Sequence, residues 1–319
     1  MSIYYKRRIL FFILYIILLQ LPVMTYSQPG SPLSLSLNYI PAKNESTPFF
    51  LNFNLSINFP AYKDSLITGL IGTNFKYYRF NFQNDSLDIH NLYSWSVPIT
   101  FLYKTSEIRY FAMMFEPSLS SDFKDISSSD LRYNLAMFYV KKKDLNSSFG
   151  IGIAISKRFS GFQIAPFYLI NMRFRNKWIL SGNIPFKSKL AYEINGKKKV
   201  GISFGANSNS FRLSEKDNNN YMDYQAIEVS LFYHQPVLKH FKWNINFGMQ
   251  STQTEVYSKN QTFPLSLFLI SRKKSGNSLE SFKNKGMLLF QVNFSYAPFE
   301  KYSSLKFSKI NKKKIHCRY

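Results

Sequence analysis

The side chains best equipped for nucleophilic or metal chemistry here are four histidines, His90, His234, His240 and His316, and a single cysteine, Cys317. A hydrolase of the serine type needs a hydroxyl, an imidazole and a carboxylate that converge within hydrogen-bond reach. None of the four histidines has a serine two residues further on, the local spacing of lipid hydrolases that work in outer membranes. Glu228, Ser230 and His234 share the parity of one alternating segment and are the only constellation of this kind. On an extended strand they make a polar patch first and a triad second, and a polar patch is the expectation. A metal centre needs several convergent ligands. Scattered histidines and one cysteine near the end do not supply them, so no metal and no cofactor are expected.

A second set carries charge and amides: Lys76, Glu116, Arg132, Asn134, Gln163, Asn171, Arg173, Glu228 and His234. Each falls on the polar face of a segment whose other face is apolar. If those faces line one interior, the surplus of basic groups suits a narrow pore or a binding cavity that prefers anions. Taken singly, each residue is expected to fill the interior with water and neighbours, with some Arg–Glu pairing across it. Glu116 and Asp122 have an alternative role, holding the segment 118–123 through turn-type hydrogen bonds.

The elements that must position these residues are strands. In residues 49–59, Phe49, Leu51, Phe53, Leu55, Ile57 and Phe59 alternate without a break against Phe50, Asn52, Asn54, Ser56 and Asn58. A period of two gives an extended strand one apolar and one polar face. The run is longer than an ordinary globular strand and fits the roughly nine to eleven residues of a tilted membrane-crossing strand. Pro60 is expected to end it. The pattern recurs at residues 33–39, 93–103, 131–139, 149–155, 162–173, 227–234, 241–250 and 288–296. In residues 67–82 the phase slips near Arg79, as a bulge or a membrane boundary would cause. Residues 118–130 read as a polar loop, Ala206 as outward-facing, and residues 264–270 as a possible further strand. The small residues Gly150, Gly152 and Ala154 call for something bulky opposite them.

The fold class expected is therefore all-β: an antiparallel transmembrane β-barrel of about twelve strands, with ten to fourteen as the range. Lys6, Arg7 and Arg8 precede an apolar block, and Thr25 and Ser27 are small residues at signal-peptidase spacing. The domains expected are a signal peptide over residues 1–27, a barrel over 28–296 and a basic tail over 297–319. Beyond the first thirty residues no apolar run is long enough for a spanning helix. With one cysteine, no intrachain disulfide can form. Net charge is +23, from 41 Lys and Arg against 18 Asp and Glu, which favours anionic surfaces. The basic residues sit largely in turns such as Lys141-Lys142-Lys143 and Lys197-Lys198-Lys199, and no nucleic-acid module is present. Nucleic acid is not an expected partner.

Leu51 and the residues following it to position 60, the run Glu116-Pro117-Ser118-Leu119-Ser120-Ser121-Asp122-Phe123, the Lys141–143 turn leading to Phe149-Gly150-Ile151-Gly152, and Ile184-Pro185 through Asn195-Gly196 to Val200-Gly201-Ile202 carry a family resemblance. Over roughly residues 33–296 the chain resembles the uncharacterised outer-membrane β-barrel proteins of Bacteroidota that contain a domain of unknown function. That resemblance implies a barrel in the cell outer membrane and brings no agreed activity with it. The basic tail departs from an ending at the last strand.

The function expected is that of a non-enzymatic, porin-like outer-membrane barrel: a narrow pore, a binder of small or lipidic solutes, or a structural surface protein. Outer-membrane lipids, lipopolysaccharide among them, and the barrel assembly machinery are the expected partners. The alternatives are a lipid-modifying barrel enzyme using His234 and a secreted soluble β-sandwich that binds polysaccharide. A detergent-extracted barrel is expected to migrate faster on a gel before boiling than after it. A sample that stays dissolved without detergent and shows no such shift is a sandwich instead.

Overall fold

The computed structural model describes residues 32–41, 49–80, 91–144, 147–175, 177–195, 197–214, 219–238, 240–259, 261, 263–268 and 278–296. The expected signal peptide and the basic tail lie outside the described residues. Sixteen strand segments form one sheet: β1 (Leu33–Ile40), β2 (Phe50–Lys63), β3 (Ile67–Phe80), β4 (Asn91–Ser96), β5 (Ile99–Ser106), β6 (Arg109–Ser121), β7 (Leu131–Lys142), β8 (Ser147–Arg158), β9 (Gly161–Phe174), β10 (Trp178–Ile184), β11 (Lys187–Glu193), β12 (Lys199–Arg212), β13 (Tyr221–Pro236), β14 (Phe241–Tyr257), β15 (Phe263–Leu267) and β16 (Glu280–Tyr296). Successive strands pair antiparallel, and β1 closes the ring on β16 from Leu33↔Tyr296 to Tyr39↔Phe290.

β4 and β5 are two halves of one stave, since both lie between β3 and β6. Pro98, which has no N–H to give, sits at the break. Among the described residues β15 pairs with β9 alone, in parallel. The closed barrel thus has fourteen staves rather than about twelve. The short hairpin β10–β11 makes much of the difference: β11 alternates Lys187 and Lys189 with Ser188 and Leu190, too brief and too polar to stand out in the sequence.

The apolar faces look outward. One hydrogen-bonded row runs Met172, Leu180, Leu190, Ile202, Leu231, Phe247, Phe290, Tyr39 and Leu51 from β9 round to β2. A second runs Phe59, Ile71, Ile99, Phe115, Leu135, Ile155 and Ile164 from β2 to β9. Together they encircle the molecule, and Leu231 at their middle is 63% exposed. Two sheets with those faces pressed together would have buried them, so the sandwich alternative is excluded.

Connections at one end are all short, at residues 64–66, 107–108, 143–146, 175–177, 194–198 and 237–240; those at the other end range from 159–160 and 185–186 to the longer 122–130 and 213–220 and to 258–279, which carries β15. At this long-loop end the inside of the barrel becomes largely apolar. Ile40, Phe50, Tyr78, Phe80, Leu92, Phe211, Met222, Tyr224, Val256, Met287 and Leu289 form a buried cluster. Phe50 stacks on Tyr224 at 5.4 Å, Phe80 meets Tyr224 at 5.7 Å and Tyr78 meets Phe211 edge-on at 5.2 Å. β2 and β3 are not neighbours of β12 and β13 in the wall, so these contacts cross the lumen.

The cluster corrects the reading of residues 67–82. No phase slip occurs at Arg79: Lys76, Tyr78 and Phe80 continue one inward face, which turns apolar as it enters the cluster. The bulge lies instead on β2, between Pro60 and Tyr62, and that strand runs on to Lys63. β6 likewise extends through Ser121, so the loop begins at Asp122.

β12 leaves the wall after Gly205, where its pairing with β11 stops. Its outer half crosses the lumen with β13 still paired to it, and Arg212 bridges Ser121 on β6. Ala206 is consequently covered rather than outward, at 5% exposure. Beside the departure point, β15 lies against residues 161–164 of β9.

Gly152 shows why small inward residues are needed. An added Cβ would lie 2.4 Å from Cζ of Phe167 and 2.6 Å from Cβ of Phe138. Val suits strands in general, yet Gly152→Val is expected to cost about 1–3 kcal/mol by overpacking. Ile153→Val, which points outward, should change little. Urea unfolding midpoints of the refolded variants compare the two; equal midpoints would contradict this packing.

Candidate functional site

Below the aromatic cluster the lumen is divided by the crossing half of β12 into two polar chambers. The larger, of about 470 Å³, reaches from Tyr78 and Asn209 to Ser34, His234 and Ser295 near the short-turn end. Its wall is built from the inward faces of β14, β16, β1 and β2, where Asn246, Gln291, Asn38 and Asn52 occupy one hydrogen-bonded row. Asn246 donates to Gln291 at 2.6 Å and Asn38 to Asn52 at 3.1 Å. Lys76, Lys187, Lys189, Glu228 and His234 bring the ionisable groups. The Glu228 carboxylate lies flat over Gly205, where a Cβ would come within 2.5 Å of Oε1. Lys189 rests over the ring of Phe232 at 5.1 Å.

The smaller chamber, of about 90 Å³, gathers Lys76, Glu116, Arg132, Asn134 and Gln163 with Arg158 and Ser208 to Ser210 of β12. Glu116 is its centre. Ser96 donates to Oε1 at 2.6 Å and Asn74 at 3.3 Å, while Asn134 donates to Oε2 at 3.4 Å. Glu116 therefore does not hold the 118–123 segment. Asp122 does, accepting from the Lys124 and Ser214 backbone at 3.2 Å each.

The structure brings Lys76, Glu116, Arg132, Asn134 and Gln163 together, and Glu228 and His234 into the other chamber. Asn171 and Arg173 stay apart, near the short-turn end of β9. Arg173 pairs with Glu193 at 2.8 Å along the wall, two staves away, and not across the lumen. Glu228, Ser230 and His234 do not converge. Along one strand the first and last of them are six residues apart, roughly 20 Å at 3.4 Å per residue, and the Ser230 hydroxyl is hydrogen-bonded to Ser203 at 2.7 Å. His240 packs edge-on against Tyr296 at 6.3 Å; His90 and His316 lie outside the described residues. Among the described residues no group of His, Cys, Asp and Glu could hold a metal ion.

Two arginines that the sequence did not single out hold the lumen's contents in place. Arg158 of β8 donates to Ser208 at 2.6 Å and to the Asn209 carbonyl at 3.0 Å, and pairs with Asp223 at 3.0 Å. Arg212, at the tip of β12, donates through Nε to Asp130 and through Nη2 to Asp125 at 2.8 Å, and reaches Asn219 at 2.7 Å. Asp130 is fully buried and also accepts from the Ser127 backbone at 2.8 Å in a capping box on the 3-10 turn Ser128–Asp130. Nothing in a period-two pattern marks these arginines, because their partners come from loops and non-adjacent strands.

A family model described as a domain of unknown function, DUF6268, matches residues 42–269. The chain belongs to that family. The DUF6268 match covers β2 through β15, both chambers' charged residues and the crossing hairpin, and leaves β1 and β16 outside it. No curated protein matches the sequence. Among solved structures, the barrel is similar to the NanC porin, at 8% identity over 83% of this chain and 98% of that one, with a TM-score of 0.36. It is also similar to a TodX monoaromatic hydrocarbon channel mutant, at 8% identity over 86% and 91%, TM-score 0.37, and to the outer membrane protease OmpT of Escherichia coli, at 9% identity over 83% and 91%, TM-score 0.20. Likenesses this distant say nothing of activity or ligand.

Removing Arg212 would strand the Asp130 carboxylate in a place water does not reach. Arg212→Ala is expected to cost about 3–5 kcal/mol in this DUF6268 barrel. The double variant with Asp130→Ala should be less damaged than the two single losses summed. A strictly additive double-mutant cycle would show that the pair is not coupled.

Proposed function

We propose that this chain is a non-enzymatic barrel of the cell outer membrane whose lumen is shut toward the long loops and serves as a receptacle for a small polar solute. The encircling apolar rows support membrane insertion, since exposed apolar surface of that extent needs a non-aqueous surround. An even number of staves, short turns at one end and longer connections at the other suit an outer-membrane barrel with its short turns on the periplasmic side. Lipids of that membrane, including lipopolysaccharide, and the barrel assembly machinery are the partners this placement entails. Origin in a Bacteroidota cell belongs to the same proposal and rests on the sequence resemblance.

The aromatic contacts across the lumen carry the choice between receptacle and pore. Phe50 and Phe80 from one side meet Tyr224 from the other, with Met287, Leu289 and Val256 packed round them. An ion passing there would have to shed its water against side chains that offer it nothing in return. Below the contacts the chamber is polar and of a volume suited to a small molecule.

Recording from the refolded chain in planar bilayers tests this. The wild type is expected to give no conductance steps, and Phe50→Ala with Tyr224→Ala to introduce them. Steady conductance by the wild type would overturn the shut lumen.

A further inference from the structure

Resting on the receptacle just described, we propose that the larger chamber takes a hydroxylated carboxylate, a sugar acid or a related polyol anion. Two independent features of the chamber define that class. The first is charge. Lys76, Lys187 and Lys189 face it against one lining carboxylate, Glu228; Lys76 also borders the smaller chamber that holds Glu116, and among the described residues none of the three lysines has an ion pair within 4.0 Å. Lys187 and Glu228 stand on the same hydrogen-bonded row with Gly205 between them, so one lysine's charge is offset and a cationic surplus remains.

The second feature is a set of acceptors without donors. Oδ1 of Asn244, Asn38 and Asn54 is buried and has no hydrogen-bond partner, and Asn244 as a whole is 7% exposed. All three asparagines line the chamber. The Asn244 amide nitrogen is committed to Asn246, which leaves the carbonyl as the end without a partner. A buried carbonyl without a donor costs free energy that a ligand hydroxyl can recover. Lysines of β3 and β11 together with amide carbonyls of β14, β1 and β2 thus call for one molecule with a negative charge and several O–H groups. A bare inorganic anion would leave the carbonyls unsatisfied; a neutral polyol would leave the lysines so.

The basic turns of the short-turn end reinforce the choice. Lys141 to Lys143 and Lys197 to Lys199 stand at the end of the barrel that the chamber reaches. They raise the local concentration of anions there.

Calorimetry on the refolded full-length chain in detergent, with sodium gluconate and with sorbitol as probes, separates the possibilities. Gluconate is expected to bind at least tenfold more tightly than sorbitol. Combining Lys76→Gln with Lys187→Gln should remove that preference, and Asn244→Leu should weaken both probes several-fold; the heat-dependent gel shift shows that each variant is folded. Equal affinities for the two probes, or a preference for gluconate that survives loss of both lysines, would overturn the assignment of an anion while leaving the receptacle standing. Binding of neither would overturn the ligand class altogether. The shut lumen is judged separately, by conductance.

Discussion

In a ring of antiparallel strands every backbone N–H and C=O is paired only if the last strand finds the first. Here that pairing is the seam between β1 and β16, and the rest of the molecule is arranged on it. Once the ring is closed, the two faces of each strand are no longer equivalent: one set of side chains shares a confined interior and the other meets the surroundings. Period-two alternation then has a definite consequence for every residue. The amide row through Asn246, Gln291, Asn38 and Asn52 runs across the seam itself, so closure also assembles part of the larger chamber.

How much of this was legible in the sequence depends on which side of the wall is asked about. The outward side was plain, because Phe, Leu and Ile recur at every second position over more length than a globular strand needs. The inward side was legible only where it is polar. Phe50, Tyr78, Phe80 and Leu289 point inward and are apolar, and a rule that sends apolar residues outward must fail on them. The apparent slip at Arg79 was such a failure, produced by an interior that changes character along the axis. Lumen residues of the polar region were readable by parity, Glu116 and Gln163 among them. Which of them meet was not, since Arg158 and Arg212 find partners across the lumen or from loops. The fate of β12 was equally hidden, because Asn207, Ser208, Asn209 and Ser210 look like any exposed strand end until one sees that Arg212 has a buried aspartate to reach.

The interior therefore combines two solutions to one problem. A fourteen-stave ring encloses more space than its wall side chains fill unaided. At the long-loop end the space is filled chiefly with aromatic and aliphatic groups, with the Arg212–Asp130 pair buried at the tip of β12. Nearer the other end it is lined with amides and ammonium groups, whose hydration or ligation satisfies them. The crossing half of β12 joins the two regions: Phe211 enters the aromatic cluster, while Asn209 donates to the Tyr78 hydroxyl at 3.1 Å and faces both chambers.

That excursion of β12 leaves a notch in the wall, and β15 occupies the β9 side of it. Ser266 reaches the Phe162 carbonyl at 3.3 Å across 104 positions of sequence, and the Phe268 N–H donates to the Ile164 carbonyl at 2.9 Å. Pro166, lying between the reach of β10 and that of β15, has no N–H to leave unpaired there. Without β15, the edge of β9 at residues 161–164 would leave its peptide groups on that side unpaired. The wall is thus completed sideways, by a splint laid in after its neighbours. Held along one edge among the described residues, that splint is tied to the wall by far fewer backbone bonds than the long staves beside it.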